Sequence, residues 1–176
     1  YELRLVPDLV TATFAGEETI SVTVHEQTKQ IVINSCDIVI ENVSISSVGR
    51  ITQEGRIAYD ETNEQASFTF PDTMGPGEYS LRVTFHGILN DKLRGFYRST
   101  YKDKDGDEKI IATTQFESTD ARRAFPCWDE PARKAVFQAT LVIDSRLTAI
   151  SNTGIRTQKD LPGTGKKEIT FKDTIK

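Results

Sequence analysis

Residues 79–86, which read YSLRVTFH, alternate strictly between apolar and polar side chains. Successive side chains of a β-strand point to opposite faces of a sheet, so a period of two gathers the apolar residues on one face. The same alternation recurs in residues 20–25 and 135–144. These three segments predict strands that each bury one face.

The rest of the chain offers further short apolar runs separated by turn signals. The runs that we predict to be strands are residues 1–6, 30–34, 38–45, 56–60, 65–70, 95–101, 109–114 and 168–171. The clearest turn is Asp105-Gly106, in the charged tip of a hairpin at residues 102–108. The only helix signal is a single turn at residues 121–124, which Asp120 could cap. We therefore expect residues 1–176 to form one all-β domain, a β-sandwich or a pair of bent mixed sheets.

Composition narrows the function classes. The chain has 176 residues, of which 37% are hydrophobic and 27% charged, a balance typical of a globular domain. Its net charge of −4 lacks the basic excess that a nucleic-acid-binding surface normally needs. No apolar run approaches the roughly 20 residues that cross a bilayer. We therefore expect neither a nucleic acid nor a membrane as a partner.

The chain has two cysteines, Cys36 and Cys127, too few for a disulfide framework. We interpret them as buried free thiols of a protein in a reducing, cytoplasmic compartment, with a disulfide between them as the alternative. The glycosylation sequon that begins at Asn42 points the other way, because it matters only in a secreted protein.

Residues that carry catalysis are missing from the sequence. A zinc protease whose metal ligands lie on one helix face needs the His-Glu-x-x-His motif. This chain has only His25 and His86, both in strand patterns. There is no Gly-x-Ser-x-Gly elbow, and Cys127 stands between Pro126 and Trp128, which favours a packed thiol over a nucleophile. We expect no catalytic residue and no metal ligand in this chain.

Residues 114–131 break the alternation and mix charges with aromatic rings. This mixture indicates a half-buried surface with paired ions. The arginines and their candidate partners are Arg122, Arg123, Asp120, Asp129 and Glu130. Their simplest interpretation is a salt-bridged brace.

Gln115 and Glu117 stand two residues apart at the end of a predicted strand, so we expect both side chains on one face. A carboxylate beside an amide suits the terminal ammonium group of a peptide. The residues alone leave open whether they form such a site or an ordinary surface.

The sequence resembles a known enzyme family in this same segment. The residues that carry the resemblance are TQFE at 114–117 and DARRAFPCWDEP at 120–131, supported by LNDK at 89–92, GFYRS at 95–99, and the start of the chain, Y-x-L-x-L-x-PDL with F-x-G. This pattern resembles the gluzincin metallo-aminopeptidases of the aminopeptidase N family, and within it the puromycin-sensitive group.

The resemblance implies a saddle-shaped amino-terminal β-domain that packs on a thermolysin-like catalytic domain. The parent enzyme would hold zinc in that catalytic domain, which is absent from this chain and would follow Lys176, and it would remove amino-terminal residues from peptides. The family pattern implies that Glu117 binds the α-amine of the substrate and that Gln115 lines the first specificity pocket. It also leads us to expect a cis peptide between Glu117 and Ser118, since some members have proline there.

Two other classes stay open at this point. One is a β-sandwich binding module with no enzymatic parent. The other is a catalytically dead interaction protein that keeps the domain.

Overall fold

The computed structural model describes residues 1–49 and 51–176. Almost all of its regular structure is β-strand, and no helix among these residues is long and apolar enough to cross a membrane. The strands are β1 Glu2–Asp8, β2 Thr13–Val24, β3 Thr28–Asn34, β4 Ile38–Ser46, β5 Gln53–Glu54, β6 Arg56–Asp60, β7 Gln65–Met74, β8 Gly77–Ile88, β9 Gly95–Lys102, β10 Glu108–Gln115, β11 Gln138–Asp144, β12 Ile155–Leu161 and β13 Lys166–Phe171. A one-turn 3₁₀ helix, Ala121–Arg123, follows β10.

An eight-stranded sheet organises the domain, in the order β12-β13-β11-β1-β2-β8-β4-β5. The β1–β11 pair is parallel and its other pairs are antiparallel, so the sheet is mixed. A three-stranded sheet, β3-β7-β6, shares one apolar core with it. The predicted all-β architecture of mixed sheets is confirmed.

Period-two alternation builds this core. In β2, Ile20, Val22 and Val24 are buried while the residues between them face outward, and β8 repeats the pattern. Since fully burying such a side chain contributes about 1.5–3 kcal/mol, alternation along a strand fixes which face turns inward.

Strand β4 changes the parity of its buried face partway along. Ile38 and Ile40 are buried in its first half and Val43 and Ile45 in its second. The pairing with β8 shifts register between Ile40 and Asn42, and this irregularity moves the next apolar residues back onto the core face.

Two strands, β5 and β12, were not predicted from the sequence. β12 has almost no buried side chain, so it lacks the apolar alternation that would reveal it, and β5 is only two residues long. β11 begins at Gln138 rather than at residue 135, because its parallel partner β1 begins only at Glu2.

The β9–β10 hairpin forms a separate two-stranded sheet that leads into the 114–131 segment. Its tip contains the predicted Asp105-Gly106 turn, with Gly106 in the left-handed region at φ 87°. The carboxylate of Asp103 accepts hydrogen bonds from the backbone N–H groups of Asp105 and Asp107, at 2.9 and 3.0 Å.

Glu18 is a carboxyl group inside the apolar core. It lies on the inward face of β2, between Leu3 of β1 and Val83 of β8, and is 1% exposed. Neither of its side-chain oxygens has a hydrogen-bond partner among the described residues. Burial raises the pKa of Glu18 well above its ordinary value, against an opposite effect of the amino-terminal ammonium group.

The replacement Glu18→Gln tests this burial. The carboxyl group has a pKa of about 4.3 in the unfolded chain and a higher pKa in the fold, so unfolding releases a proton between these values and stability falls as pH rises through that window. We expect Glu18→Gln to be more stable than the wild type by about 1 kcal/mol or more at pH 8, because the amide does not ionise on unfolding, and equally stable near pH 4.

Urea unfolding at several pH values measures the effect. Glu17→Gln, at the neighbouring outward position, is the control and should keep the pH dependence of the wild type. Equal pH dependence in Glu18→Gln would contradict the assignment.

Candidate functional site

A groove of about 780 Å³ runs between the turn that follows β10 and the segment that precedes β11. Its lining includes Glu117 and Ser118 from that turn, Trp128 and Glu130 from the segment before β11, and residues of β2. Glu117 is exposed and forms no hydrogen bond or ion pair within residues 1–49 and 51–176. Its carboxylate is therefore available to a ligand.

Gln115 lies elsewhere. It is the exposed last residue of β10, and it is not among the residues that line this groove. Glu117 stands beyond the strand in a turn, so the strand period that predicted one shared face does not extend to it. The structure therefore does not bring the two side chains together in the groove.

The turn that carries Glu117 is closed by local contacts. The Glu117–Ser118 peptide bond is cis, as predicted. The backbone N–H of Asp120 donates to the carbonyl oxygen of Phe116 at 2.9 Å, and the Phe116 ring packs edge-on against Phe125, with ring centroids 5.8 Å apart. The polar group of Glu117 thus projects from a turn that is tied at both ends.

The predicted single helical turn is present, but Asp120 does not cap it through its side chain. Its carboxylate instead accepts a hydrogen bond from Arg123 Nε at 2.9 Å. This ion pair joins the end of the Glu117 turn to the short helix.

The predicted salt-bridged brace is confirmed in part. Arg122 Nε donates to Asp129 Oδ2 at 3.0 Å, and Arg123 pairs with Asp120. Glu130, also predicted as a member, forms no ion pair within the described part of the chain.

Two acidic residues from distant parts of the sequence complete the brace. Glu64 gives one carboxylate oxygen to each arginine, Oε2 to Arg122 Nη1 at 3.1 Å and Oε1 to Arg123 Nη2 at 2.7 Å, and Asp37 also pairs with Arg123. A hydrogen bond from the Cys36 thiol and the two arginines hold the pKa of Glu64 below its ordinary value. Local sequence spacing carries no signal for such long-range partners.

Both cysteines are free thiols, as predicted. Cys127 is buried, and burial raises its pKa, while Cys36 is only half-buried. The pKa of Cys36 is raised to about 11, by burial first and then by its hydrogen bond to Glu64. Neither thiol is set up as a nucleophile.

The described residues contain no group of three or more histidine, cysteine, aspartate or glutamate side chains that could hold a metal ion. His86 of β8 contacts Glu41 at 3.0 Å on an exposed surface, and His25 follows β2 at the groove. The donor set of this part of the chain does not fit a zinc site.

The chain matches the peptidase M1 N-terminal domain family over residues 1–176, and it belongs to that family. It is 42% identical over 172 residues to the puromycin-sensitive aminopeptidase of Caenorhabditis elegans, a match that covers 97% of this chain and 18% of that protein. Aminopeptidase M1-D of Oryza sativa subsp. japonica is 45% identical over 159 residues, covering 90% of this chain and 18% of that protein.

A third relative is the alanine/arginine aminopeptidase of Saccharomyces cerevisiae, 39% identical over 182 residues that cover 100% of this chain and 20% of that protein. The chain spans about a fifth of the length of the curated relatives it matches. The resemblance to metallo-aminopeptidases inferred from the sequence is confirmed.

Gly95 lets the hairpin approach the Glu117 turn. It pairs with Gln115 across β9 and β10, and it has φ 68°. A Cβ atom at this position would lie 2.6 Å from Arg123 Cβ and 3.3 Å from the carbonyl oxygen of Asp120. Only glycine therefore fits between the hairpin and the short helix.

The variant Gly95→Ala should lower the free energy of unfolding by more than Gly106→Ala does. Both glycines have a positive φ, so each alanine carries a conformational penalty of about 1 kcal/mol, but nothing lies within 4 Å of the Cβ position at Gly106. We expect the clash at Gly95 to add about 1–3 kcal/mol. Denaturant unfolding of the two variants measures the difference, and equal losses would contradict the close contact.

Proposed function

We propose that this chain is the substrate-amine-recognising domain of a zinc aminopeptidase that removes amino-terminal residues from peptides. In this proposal the carboxylate of Glu117 binds the α-ammonium group of the peptide. The proposal rests on the family to which the chain belongs and on the chemistry of the groove.

The observation that carries the proposal is the contrast between Glu117 and the charges beside it. Asp120, Arg122, Arg123 and Asp129 are all engaged in ion pairs, whereas the exposed Glu117 has no partner in the described residues. A charge-assisted hydrogen bond contributes about 1.5–3 kcal/mol, so a free carboxylate at a fixed position favours peptides whose ammonium group reaches it.

Such a contact would make the enzyme selective for the first peptide bond of its substrate. A carboxylate at a set distance from the reacting bond binds a free amine at that point, whereas an internal peptide bond has no amine there to make the contact. Gln115 ends β10, two residues before Glu117, and does not line this groove. In the proposal it lines the pocket for the first side chain of the substrate, next to the groove.

The zinc ion and the catalytic residues would belong to a second domain of the same protein. Zinc would supply Lewis-acid activation of the scissile carbonyl when bound there. A second groove, of about 680 Å³ and lined mainly by apolar side chains of β1, β10, β11 and the loop after β11, offers a surface for that domain. Its members include Leu5, Ile111, Leu141 and Ile150.

We propose a cytoplasmic location for the protein. Its support is the pair of free thiols, which a reducing compartment maintains. The sequon residue Asn42 is exposed and its side chain donates to Thr84 Oγ1 at 3.4 Å.

The variant Glu117→Ala in the full-length protein tests the proposal. We expect kcat/KM for aminoacyl reporter substrates to fall at least about tenfold, since 1.4 kcal/mol corresponds to one decade. A wild-type value would remove Glu117 from the site.

Glu130→Ala is the matched comparison, because Glu130 also lines the groove and has no ion pair among the described residues. We expect it to change kcat/KM less than Glu117→Ala does, and a larger loss would move the amine site to Glu130. If the folded wild-type protein shows no activity, the result would favour the alternative that the protein is a catalytically dead interaction protein that keeps the domain.

A further inference from the structure

We propose that Glu64 is a positioning residue for Glu117, an inference that rests on the function proposed above. Glu64 does not touch the groove. It acts through two arginines, Arg123 tied to Asp120 at the end of the Glu117 turn and Arg122 tied to Asp129 in the segment before β11. One carboxylate thereby sets where the amine-binding group stands.

Glu64 is itself held in place by the backbone. It lies in the turn between β6 and β7, in the left-handed region at φ 51°. Its N–H contacts the carbonyl oxygen of Glu61 at 3.4 Å, and its own carbonyl accepts from the N–H of Ser35 at 2.9 Å. The Glu64 side chain therefore extends from a turn that backbone hydrogen bonds hold at the end of the three-stranded sheet.

The first arm runs from Glu64 to the turn that carries Glu117. Arg123 donates from Nη2 to Glu64 Oε1 and from Nε to Asp120. Asp120 closes the turn through its N–H to Phe116, and Glu117 is the next residue after Phe116. Two side-chain contacts and one backbone hydrogen bond thus separate Glu64 from the Glu117 turn.

The second arm runs to the segment that precedes β11. Arg122 donates from Nη1 to Glu64 Oε2, and it donates to Asp129 from both Nε and its backbone N–H, at 3.0 and 3.2 Å. Asp129 lies beside Trp128 in the groove lining. Because both arms start at one carboxylate, the Glu117 turn and the segment before β11 are both tied to Glu64.

The burial of these ions makes the link stiff. The arginine side chains are 11% exposed and that of Glu64 is 32% exposed. Each Glu64 oxygen has an arginine donor, and the Cys36 thiol lies 3.3 Å from Oε1. A glutamine at position 64 keeps the shape, but it turns an NH₂ group toward one arginine and removes the charge.

The experiment measures how well the full-length enzyme distinguishes a peptide-like inhibitor with an α-amine from its des-amino analogue. The ratio of the two inhibition constants is the discrimination factor. We expect Glu64→Gln to lower it at least about threefold and to raise KM with little change in kcat, since the amine contact is made equally in the ground state and the transition state.

A double-variant cycle separates positioning from a general structural role. In the Glu117→Ala background, Glu64→Gln should leave the discrimination factor unchanged, because the group that it positions is gone. A further loss in that background would overturn the inference. Glu61→Gln, an exposed residue of the same turn, is the control and should match the wild type.

The outcomes also separate this inference from the proposed function. If Glu117→Ala abolishes discrimination and Glu64→Gln leaves it intact, positioning by Glu64 is wrong and the amine site stands. If Glu117→Ala leaves discrimination intact, the amine site is wrong and the inference falls with it.

A second variant covers the case in which Glu64→Gln does not fold. Asp120→Asn weakens only the arm toward Glu117 and leaves the Glu64–Arg122 contact in place. We expect it to lower the discrimination factor, and an unchanged factor would overturn the inference.

Discussion

The shared apolar face between the eight-stranded sheet and the β3-β7-β6 sheet is the constraint on which the domain depends. Alternation along β2 and β8 buries one face of each strand in this core. In β4 the alternation changes phase, and the irregular pairing with β8 keeps the apolar side chains on the core face. Because a one-residue slip would expose every buried side chain of a strand, register is fixed across the sheet. The polar segment after β10 is attached to this core through Phe116 and Phe125.

That segment has little regular structure of its own, so its shape depends on ion pairs and aromatic contacts. Phe116 and Phe125 anchor it to the core, and Glu64 ties it to the second sheet. Half-buried ion pairs add less stability than apolar packing, but they fix geometry because each arginine has defined donor directions. The domain thus combines an apolar core for stability with a charged network that ties the Glu117 turn to the second sheet.

Much of the fold could be predicted from the sequence, because strand alternation is a local property. Most of the predicted strands have a buried face. β6 and β10 have none and were predicted from short apolar runs, whereas β12 shows no alternation since its side chains face water. The brace was predicted only as far as local sequence spacing reaches: Arg122 and Arg123 were identified, but Glu64 and Asp37 come from distant turns. Glu18 carried a signal that was missed, an acidic residue in phase with the buried Ile20.

For the candidate site the residues alone gave only a chemical suggestion. The role proposed for Glu117 and the prediction of the cis peptide came from the resemblance to a family, not from spacing. The strand period failed at this point because β10 ends at Gln115 and a turn begins, which no alternation rule foresees.

The exposed character of β12 has a consequence for how the molecule behaves among its neighbours. This strand forms an outer edge of the large sheet, where unpaired backbone groups could recruit a strand of another molecule. Arg156, Lys159 and Asp160 cover that edge with charge, and Lys159 is held by Glu168 of β13 at 2.7 Å. Pairing a strand of a second chain with this edge would desolvate these charged groups. The edge therefore resists the intermolecular pairing that leads to aggregation.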